Sequence, residues 1–260
     1  VARPERLQRL DVALVSRGLA PSRARAVERI EAGEVEVDGL VVDKPARQVR
    51  LDQSVRLVVP DHGYVGRGAL KLLGVLGPLG VDPAGCIAAD LGASTGGFTE
   101  VLLERGATRV YAVDVGHGQL AWKLQTDPRV VNLEGTNVRT LERLPEPVSL
   151  IVGDLSFISL RLVLPSVARL LSPGGRALLL VKPQFEAGRE AVGKGGRVAD
   201  DGVRDAAIAR VKADAVAEGF VVLGEATSPL PGAKAGNVEH FVLLALAEPQ
   251  SASASASASQ

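Results

Sequence analysis

Cysteine is almost missing from this 260-residue chain: Cys86 stands alone, so no disulfide can form within it. That excludes a small secreted fold held by cross-links and fits a reducing compartment. Aromatic residues are scarce too, with five Phe, two Tyr and one Trp. The core must then be mostly Val, Leu and Ala, as where helices cover both faces of a sheet. His62, His117 and His240 are scattered and, with one cysteine, make no transition-metal cluster, so no metal is expected. Long hydrophobic runs are absent, and a stretch such as residues 241–247 is far too short to span a bilayer. Arg3, Glu5, Arg6, Arg9 and Asp11 leave no room for a signal-peptide core at the start. A cytoplasmic protein that does not associate with membranes is expected. Net charge is also missing, since 30 basic residues balance 30 acidic ones.

The balance is uneven along the chain. Across residues 1–30 seven arginines face three acids, a basic patch on a neutral protein. Hydrophobic residues make up 46% of the chain, ample for one large and one small domain. Residues 251–260 repeat Ser-Ala with no apolar period and read as a disordered tail from about 249 onward. Cys86 begins the first core strand, where a packing role is expected.

The most informative stretch follows it. Ile87-Ala88-Ala89-Asp90-Leu91-Gly92-Ala93-Ser94-Thr95-Gly96-Gly97-Phe98-Thr99 is an apolar strand that ends in a carboxylate and turns through small residues into a helix. Such a loop brings backbone N–H groups and a negative charge up to a ligand. A second apolar strand, Val110 to Val113, ends in Asp114, at about the distance where an α/β site offers a carboxylate to a ribose. A dinucleotide loop has the spacing G-x-G-x-x-G and receives pyrophosphate, whereas this one reads Gly92-x-Ser94-x-Gly96-Gly97 behind Asp90. A carboxylate there repels phosphate and attracts a cation. S-adenosyl-L-methionine, which carries a sulfonium and an ammonium and no phosphate, is the favoured cofactor, with a nicotinamide dinucleotide as the alternative.

The chain divides into residues 1–59, a linker at 60–66, and a large domain at 67–248. In the first part Leu7, Leu10, Leu14 and Val15 recur at helical spacing up to Gly18. Pro21-Ser22 opens a second helix that Gly33 stops, and two strands flank the turn at Asp38-Gly39. Arg9, Arg23, Arg25 and Lys44 cluster near one turn region and read as a phosphate-backbone site, with a solvated charged face as the alternative. From residue 67 onward strands near 87–90, 110–114, 130–133, 148–153 and 176–181 alternate with helices near 67–79, 97–105, 119–125, 160–171 and 202–218. Two more strands are expected near 220–224 and 239–246. The alternation predicts an α/β fold: a doubly wound, seven-stranded, Rossmann-like sheet preceded by a small α+β domain. Asp90, Asp114, Asp154 and Lys182 all fall at strand ends, where such sheets bind ligands.

Asp154 and Lys182 end neighbouring apolar strands and would share a cleft; a structural ion pair is the competing reading. Known nucleophile signatures narrow the chemistry. Cys86 lies at the wrong end of its strand for pyrimidine-carbon methylation, and the turn after the fourth strand reads Asp154-Leu155-Ser156-Phe157 in place of the Pro-Pro turn typical of base-amine methylation. A ribose hydroxyl activated by a partly desolvated lysine fits better.

Two resemblances sharpen this. The run from Arg9-Leu10-Asp11 through Gly18-Leu19-Ala20, Ser22-Arg23 and Val37-Asp38-Gly39 to Lys44-Pro45 resembles the S-four RNA-binding domain, which implies RNA contacts through Arg9, Arg23, Arg25 and Lys44. The stretches from Asp90 to Leu103, Asp114 to Trp122, Asp154 to Leu160, Lys182 to Glu186, Pro229-Leu230-Pro231-Gly232 and Gly236-Asn237-Val238-Glu239 resemble the TlyA, or hemolysin A, family. That family comprises ribosomal RNA cytidine 2′-O-methyltransferases with a catalytic domain of the FtsJ type. The resemblance implies methylation of large-subunit RNA, with small-subunit RNA as a second candidate, and ribosomal RNA in ribosomal subunits as partner. It implies a catalytic tetrad of Lys71, Asp154, Lys182 and Glu239, with Lys182 nearest the hydroxyl. It assigns Asp90, Gly92, Ser94, Gly96, Gly97 and Phe98 to the methionine side of the cofactor, Asp114 to its ribose and Asn137 to the neighbourhood of adenine.

Arg67, one helical turn before Lys71, is a candidate phosphate contact. Phe157 reads as a residue that stacks on a flipped base, seals the cofactor or packs in the core. Loop 193–197, Gly-Lys-Gly-Gly-Arg, reads as a mobile segment following RNA phosphates or a plain solvated connection. The competing functions are a nicotinamide oxidoreductase fused to an RNA module, a non-catalytic RNA chaperone, and a membrane-active hemolysin. The last lacks a spanning helix and an amphipathic segment of suitable length.

Overall fold

The computed structural model describes residues 7–31, 33–58, 63–233 and 235–247. The expected Ser-Ala tail and residues 60–62 of the expected linker lie outside them. The small N-terminal part runs β1 (Leu7–Arg9), α1 (Leu10–Ser16), α2 (Arg23–Glu31), β2 (Val35–Val37), β3 (Leu40–Val41), β4 (Gln48–Arg50) and β5 (Val55–Leu57). Leu10, Ala13 and Leu14 recur on one face of α1, as Ala26 and Ile30 do on α2, and all five are fully buried with Val35, Val37 and Val49. Asp38 and Gly39 both take positive φ, at 53° and 81°, the twist a two-residue hairpin turn requires, so Val37 pairs with Leu40. Leu7 corrects the sequence reading: it belongs to a strand ahead of α1 and is 59% exposed.

The large domain continues with α3 (Gly68–Leu76), β6 (Ile87–Leu91), α4 (Gly97–Glu104), β7 (Arg109–Val113), α5 (Trp122–Gln125), β8 (Val130–Leu133), β9 (Val148–Gly153), α6 (Leu164–Leu170), β10 (Leu171–Val181), α7 (Pro183–Glu186), α8 (Asp201–Ala217), β11 (Phe220–Thr227) and β12 (His240–Leu246). Its seven strands lie in the order β11-β12-β10-β9-β6-β7-β8. Five pair in parallel with one another; β12 is antiparallel to both β10 and β11, so six strands run in one direction and β12 in the other. The Rossmann-like sheet read from the sequence is thus present. Successive side chains of a strand point to opposite faces, and the apolar residues divide accordingly. Ala88, Val110, Leu150, Val152 and Leu178 pack with α3 and α4 on one side, while Ala89, Tyr111, Ile151, Leu179 and Val242 pack with α6 and α8 on the other. Cys86 packs at the border of the first of these cores.

One packing contact fixes α3. Gly74 sits inside the helix, where alanine is ordinarily better by about 1 kcal/mol. A Cβ there would lie 2.6 Å from Pro229 Cγ and 3.2 Å from its Cβ. The close approach seats α3, and with it Lys71, against the chain segment that leads into β12. Gly74→Ala is therefore expected to destabilise the protein by about 1–3 kcal/mol, because a rigid proline ring resists displacement. A urea midpoint equal to or above that of the parent would contradict this packing argument.

Candidate active site

The carboxyl ends of the parallel strands open into a cleft of about 870 Å³. Asp90, near the end of β6, is 1% exposed, and its Oδ2 accepts hydrogen bonds from Thr99 N at 2.9 Å and Thr99 Oγ1 at 2.7 Å. The carboxylate thus faces the first turn of α4, where backbone donors and the helix dipole favour negative charge. Its Oδ1 is shielded from solvent and has no partner. Burial pushes the Asp90 carboxyl up to about 7 against the opposing bonds from Thr99, with Asp154 and Asp114 adding to the rise.

The loop between β6 and α4 is shaped by glycine at three points. Gly92 has φ +85°, and a Cβ on it would meet Asp154 O at 3.0 Å. Gly96 has φ +96°, and its Cβ would strike Leu124 Cδ1 at 2.2 Å. On Gly97 a Cβ would lie 2.9 Å from Ala69 N, so α3 and α4 cross backbone against backbone. Ser94, with φ +49°, donates its N–H to Asp114 Oδ2 at 2.8 Å, while Gly116 N donates to Asp114 Oδ1 at 2.7 Å. Asp114 is therefore the clasp between two loops at the rim, and Ser94, Gly97 and Phe98 line the cleft.

Beside this cradle four charges meet. Lys71 Nζ lies 2.6 Å from Glu239 Oε2 and 3.6 Å from Asp154 Oδ2. Asp154 Oδ1 lies 2.6 Å from Lys182 Nζ, which also donates to Ser156 Oγ at 2.7 Å. Exposure is 5% for Lys71, 8% for Lys182 and 2% for Glu239. Burial alone would raise the Asp154 carboxyl, but Lys71 and Lys182 outweigh it and hold the group below its usual range. Topology explains the meeting: β12 runs against β10 with His240 opposite Val181, so Glu239 enters at the rim where Lys182 leaves. All four expected tetrad residues line the one cleft.

The other expected residues divide. Arg9 donates to Asp11 at 3.0 and 2.8 Å and Arg23 donates to the same carboxylate at 3.0 Å, while their own side chains remain 41% and 61% exposed. Both arginines hold the Asp11 carboxyl down at about 2. Lys44 is exposed. Arg25 departs from its expected role, because its guanidinium donates to the backbone carbonyls of Tyr64 and Val65. Arg67 lines the cleft with its Nη2 bound to Pro231 O at 2.7 Å. Asn137 does not line the cleft; it is exposed, and its Oδ1 caps a short 3-10 turn by accepting from Arg139 N at 3.0 Å. That short-range bond is the ordinary use of asparagine at a helix start. Phe157 is no core residue either: it is 81% exposed, has φ +62°, and stands 5.3 Å from the Phe185 ring centroid.

Several residues at the site escaped the sequence reading. Asp11 anchors the two arginines, and Thr99 binds Asp90. Glu100 accepts from Val65 N at 2.7 Å, tying the connecting segment to α4. Glu186 accepts from Ser159 Oγ at 2.7 Å and Leu160 N at 2.8 Å, which joins the segments that follow β9 and β10. The partners of Glu100 and Glu186 lie 35 and 26 residues away in the chain, beyond the reach of any local pattern. Among the described residues no group of His, Cys, Asp and Glu could hold a metal ion, and no helix is long and apolar enough to cross a membrane.

Comparison with known proteins agrees with this geometry. Residues 64–246 match the FtsJ-like methyltransferase family and residues 8–55 match the S4 domain. The 16S/23S rRNA (cytidine-2′-O)-methyltransferase TlyA of Mycobacterium tuberculosis is 50% identical over 243 residues, covering 92% of this chain and 90% of that protein. The 23S rRNA (cytidine-2′-O)-methyltransferase TlyA of Campylobacter jejuni is 34% identical, with coverage of 87% and 95%. Among solved structures, a hemolysin-type protein of Streptococcus thermophilus is 40% identical with a TM-score of 0.73, covering 94% of this chain and 90% of that one.

The raised Asp90 carboxyl carries a stability consequence. Its folded value, about 7, exceeds the unfolded value near 4, so its contribution is complete below about pH 4 and is lost as pH rises through 7. Asp90→Asn is expected to stabilise the ligand-free protein at pH 8 by up to about 4 kcal/mol and to leave it unchanged near pH 4. Thermal unfolding at the two pH values checks the sign; equal shifts at both would contradict it.

Proposed function

The chain belongs to the TlyA group of FtsJ-like methyltransferases, and from that premise we infer that it transfers a methyl group from S-adenosylmethionine to the 2′-hydroxyl of a cytidine ribose in ribosomal RNA. The single observation that carries the chemistry is the buried run Glu239–Lys71–Asp154–Lys182 at the edge of the cleft. The family assignment does not favour the oxidoreductase, chaperone and hemolysin readings.

The cavity suits the cofactor. Asp90 Oδ1 is a shielded acceptor with no protein partner, suited to an ammonium group, and Asp114 keeps lone pairs for ribose hydroxyls beyond the two backbone bonds it accepts. Gly92, Gly96 and Gly97 let the loop and α4 pack directly against Asp154 O, Leu124 and the backbone of Ala69, which fixes the shape of the cradle. When bound, S-adenosylmethionine supplies an electrophilic methyl group on a positively charged sulfur. Lys182 would accept the proton of a ribose 2′-hydroxyl as its oxygen becomes the nucleophile. Asp154 and Ser156 fix the direction of Nζ, and Lys71, shared between Glu239 and Asp154, keeps both carboxylates paired.

The domain limits follow: an RNA-binding part through residue 59, a linker at 60–66 and a methyltransferase part at 67–248. Arg9 and Arg23, both aimed by Asp11, together with Lys44 would take RNA phosphates, and Arg67 would do so at the cleft mouth. Arg25 acts instead on the linker backbone. Asn137 acts as a cap through its Oδ1. We assign the enzyme to ribosomal subunits in the cytoplasm, with large-subunit RNA as the first target.

Lys182→Ala is expected to lower methyl transfer by at least about 10²–10⁴-fold, the usual worth of a positioned acid–base group, while S-adenosylhomocysteine affinity stays within about threefold. Mapping ribose methylation in ribosomal RNA from cells with and without the protein should show one or two cytidine marks lost. An unchanged map together with an active Lys182→Ala variant would overturn the assignment.

A further inference from the structure

Asn237 commits its whole amide to one loop. Its Nδ2 donates to Gly196 O at 2.8 Å and its Oδ1 accepts from Val198 N at 2.9 Å, 41 and 39 residues away in the chain. The residue is 3% exposed, and its own carbonyl accepts from Gly232 N at 2.9 Å. One buried side chain therefore ties loop 193–198 to the turn that leads into Glu239. Inside the loop Gly193 N donates to Arg197 O at 2.8 Å, and Gly195 and Gly196 take φ of 78° and 84°, a shape that residues with side chains resist. Gly195 and Gly196 line the cleft, and Lys194 and Arg197 stand exposed beside them with no ion-pair partner among the described residues.

We propose that Asn237 is a positioning residue that holds loop 193–198 as a preformed cationic rim, on which Lys194 and Arg197 receive the backbone phosphates beside the target nucleotide. The inference rests on the methyl-transfer reading above. Held by two bonds from a buried amide, the rim loses little freedom when RNA arrives, so the two charges act at a fixed distance from Lys182. The strand at the cleft must be single where its ribose is reached, and each phosphate neutralised on such a strand adds about 0.7 to the salt slope. Asn237 touches no reacting atom; it acts through the loop.

The test is steady-state methyl transfer to ribosomal subunits lacking the modification, at several salt concentrations. Lys194→Ala/Arg197→Ala is expected to raise KM for the subunit about tenfold, to leave kcat within twofold, and to flatten the salt slope by about 1–2. Asn237→Ala is expected to reproduce most of that KM change with unchanged S-adenosylhomocysteine affinity. Combining all three should add less than twofold to the double variant, since a released loop no longer presents the charges. Asn237→Asp, which keeps the acceptor and loses the donor, should fall between. Unchanged KM and slope in the double variant overturn the proposal, as does full additivity; the double variant alters only surface side chains, so the proposal stays open to refutation even if Asn237→Ala fails to fold. If the unaltered protein transfers no methyl group, the methyl-transfer reading falls by itself. RNA affinity and its salt slope are then compared among the same variants, where equal values overturn the rim.

Discussion

The site depends on one shared cation. Lys71 lies between Glu239 and Asp154, and without it Glu239, which is 2% exposed, would lose its ion-pair partner. An unpaired buried charge is destabilising by several kcal/mol, so these groups are tolerated only as a set. The fold is arranged to bring that set together: α3 is pressed against Pro229, and β12 returns antiparallel to end its loop opposite Lys182. Stability and chemistry therefore draw on the same contacts.

The same economy governs charge elsewhere. The protein is neutral overall, yet its basic surplus is gathered in the first thirty residues while the cleft carries carboxylates that favour a cation. Asp11 shows how the surplus is controlled. A single buried acid holds Arg9 and Arg23 by hydrogen bonds and leaves both partly in solvent, so the pair offers net positive charge in a fixed direction. Asp90 does the opposite at the other end of the site, since one of its oxygens is left without a partner.

Much of this was legible in the sequence because the informative signals are local. Apolar strands ending in Asp90, Asp114, Asp154 and Lys182 needed only the rule that ligands lie at strand carboxyl ends, and the structure places all four there. The helices and hairpin of the small domain followed from apolar spacing and the Asp38-Gly39 turn. Three-residue strands such as β4 and β5 are too short to alternate visibly, and Leu7 fitted a helical period only by coincidence. Asn137 and Arg25 make contacts that the sequence did not announce, for a common reason. A polar residue near a site in sequence says nothing of whether its side chain is already engaged, and both are committed to backbone groups. Asn237 and Glu186 went unassigned because their partners are distant in the chain.

The antiparallel return of β12 also sets how the charges at the cleft depend on one another. Asp90, Asp114, Asp154 and Lys182 lie at the ends of the parallel strands β6, β7, β9 and β10, but the acid paired with Lys71 comes from the segment that enters β12. The Lys71–Glu239 contact joins residues 168 apart in sequence, so any loosening of β12 from β10 is felt first at that ion pair.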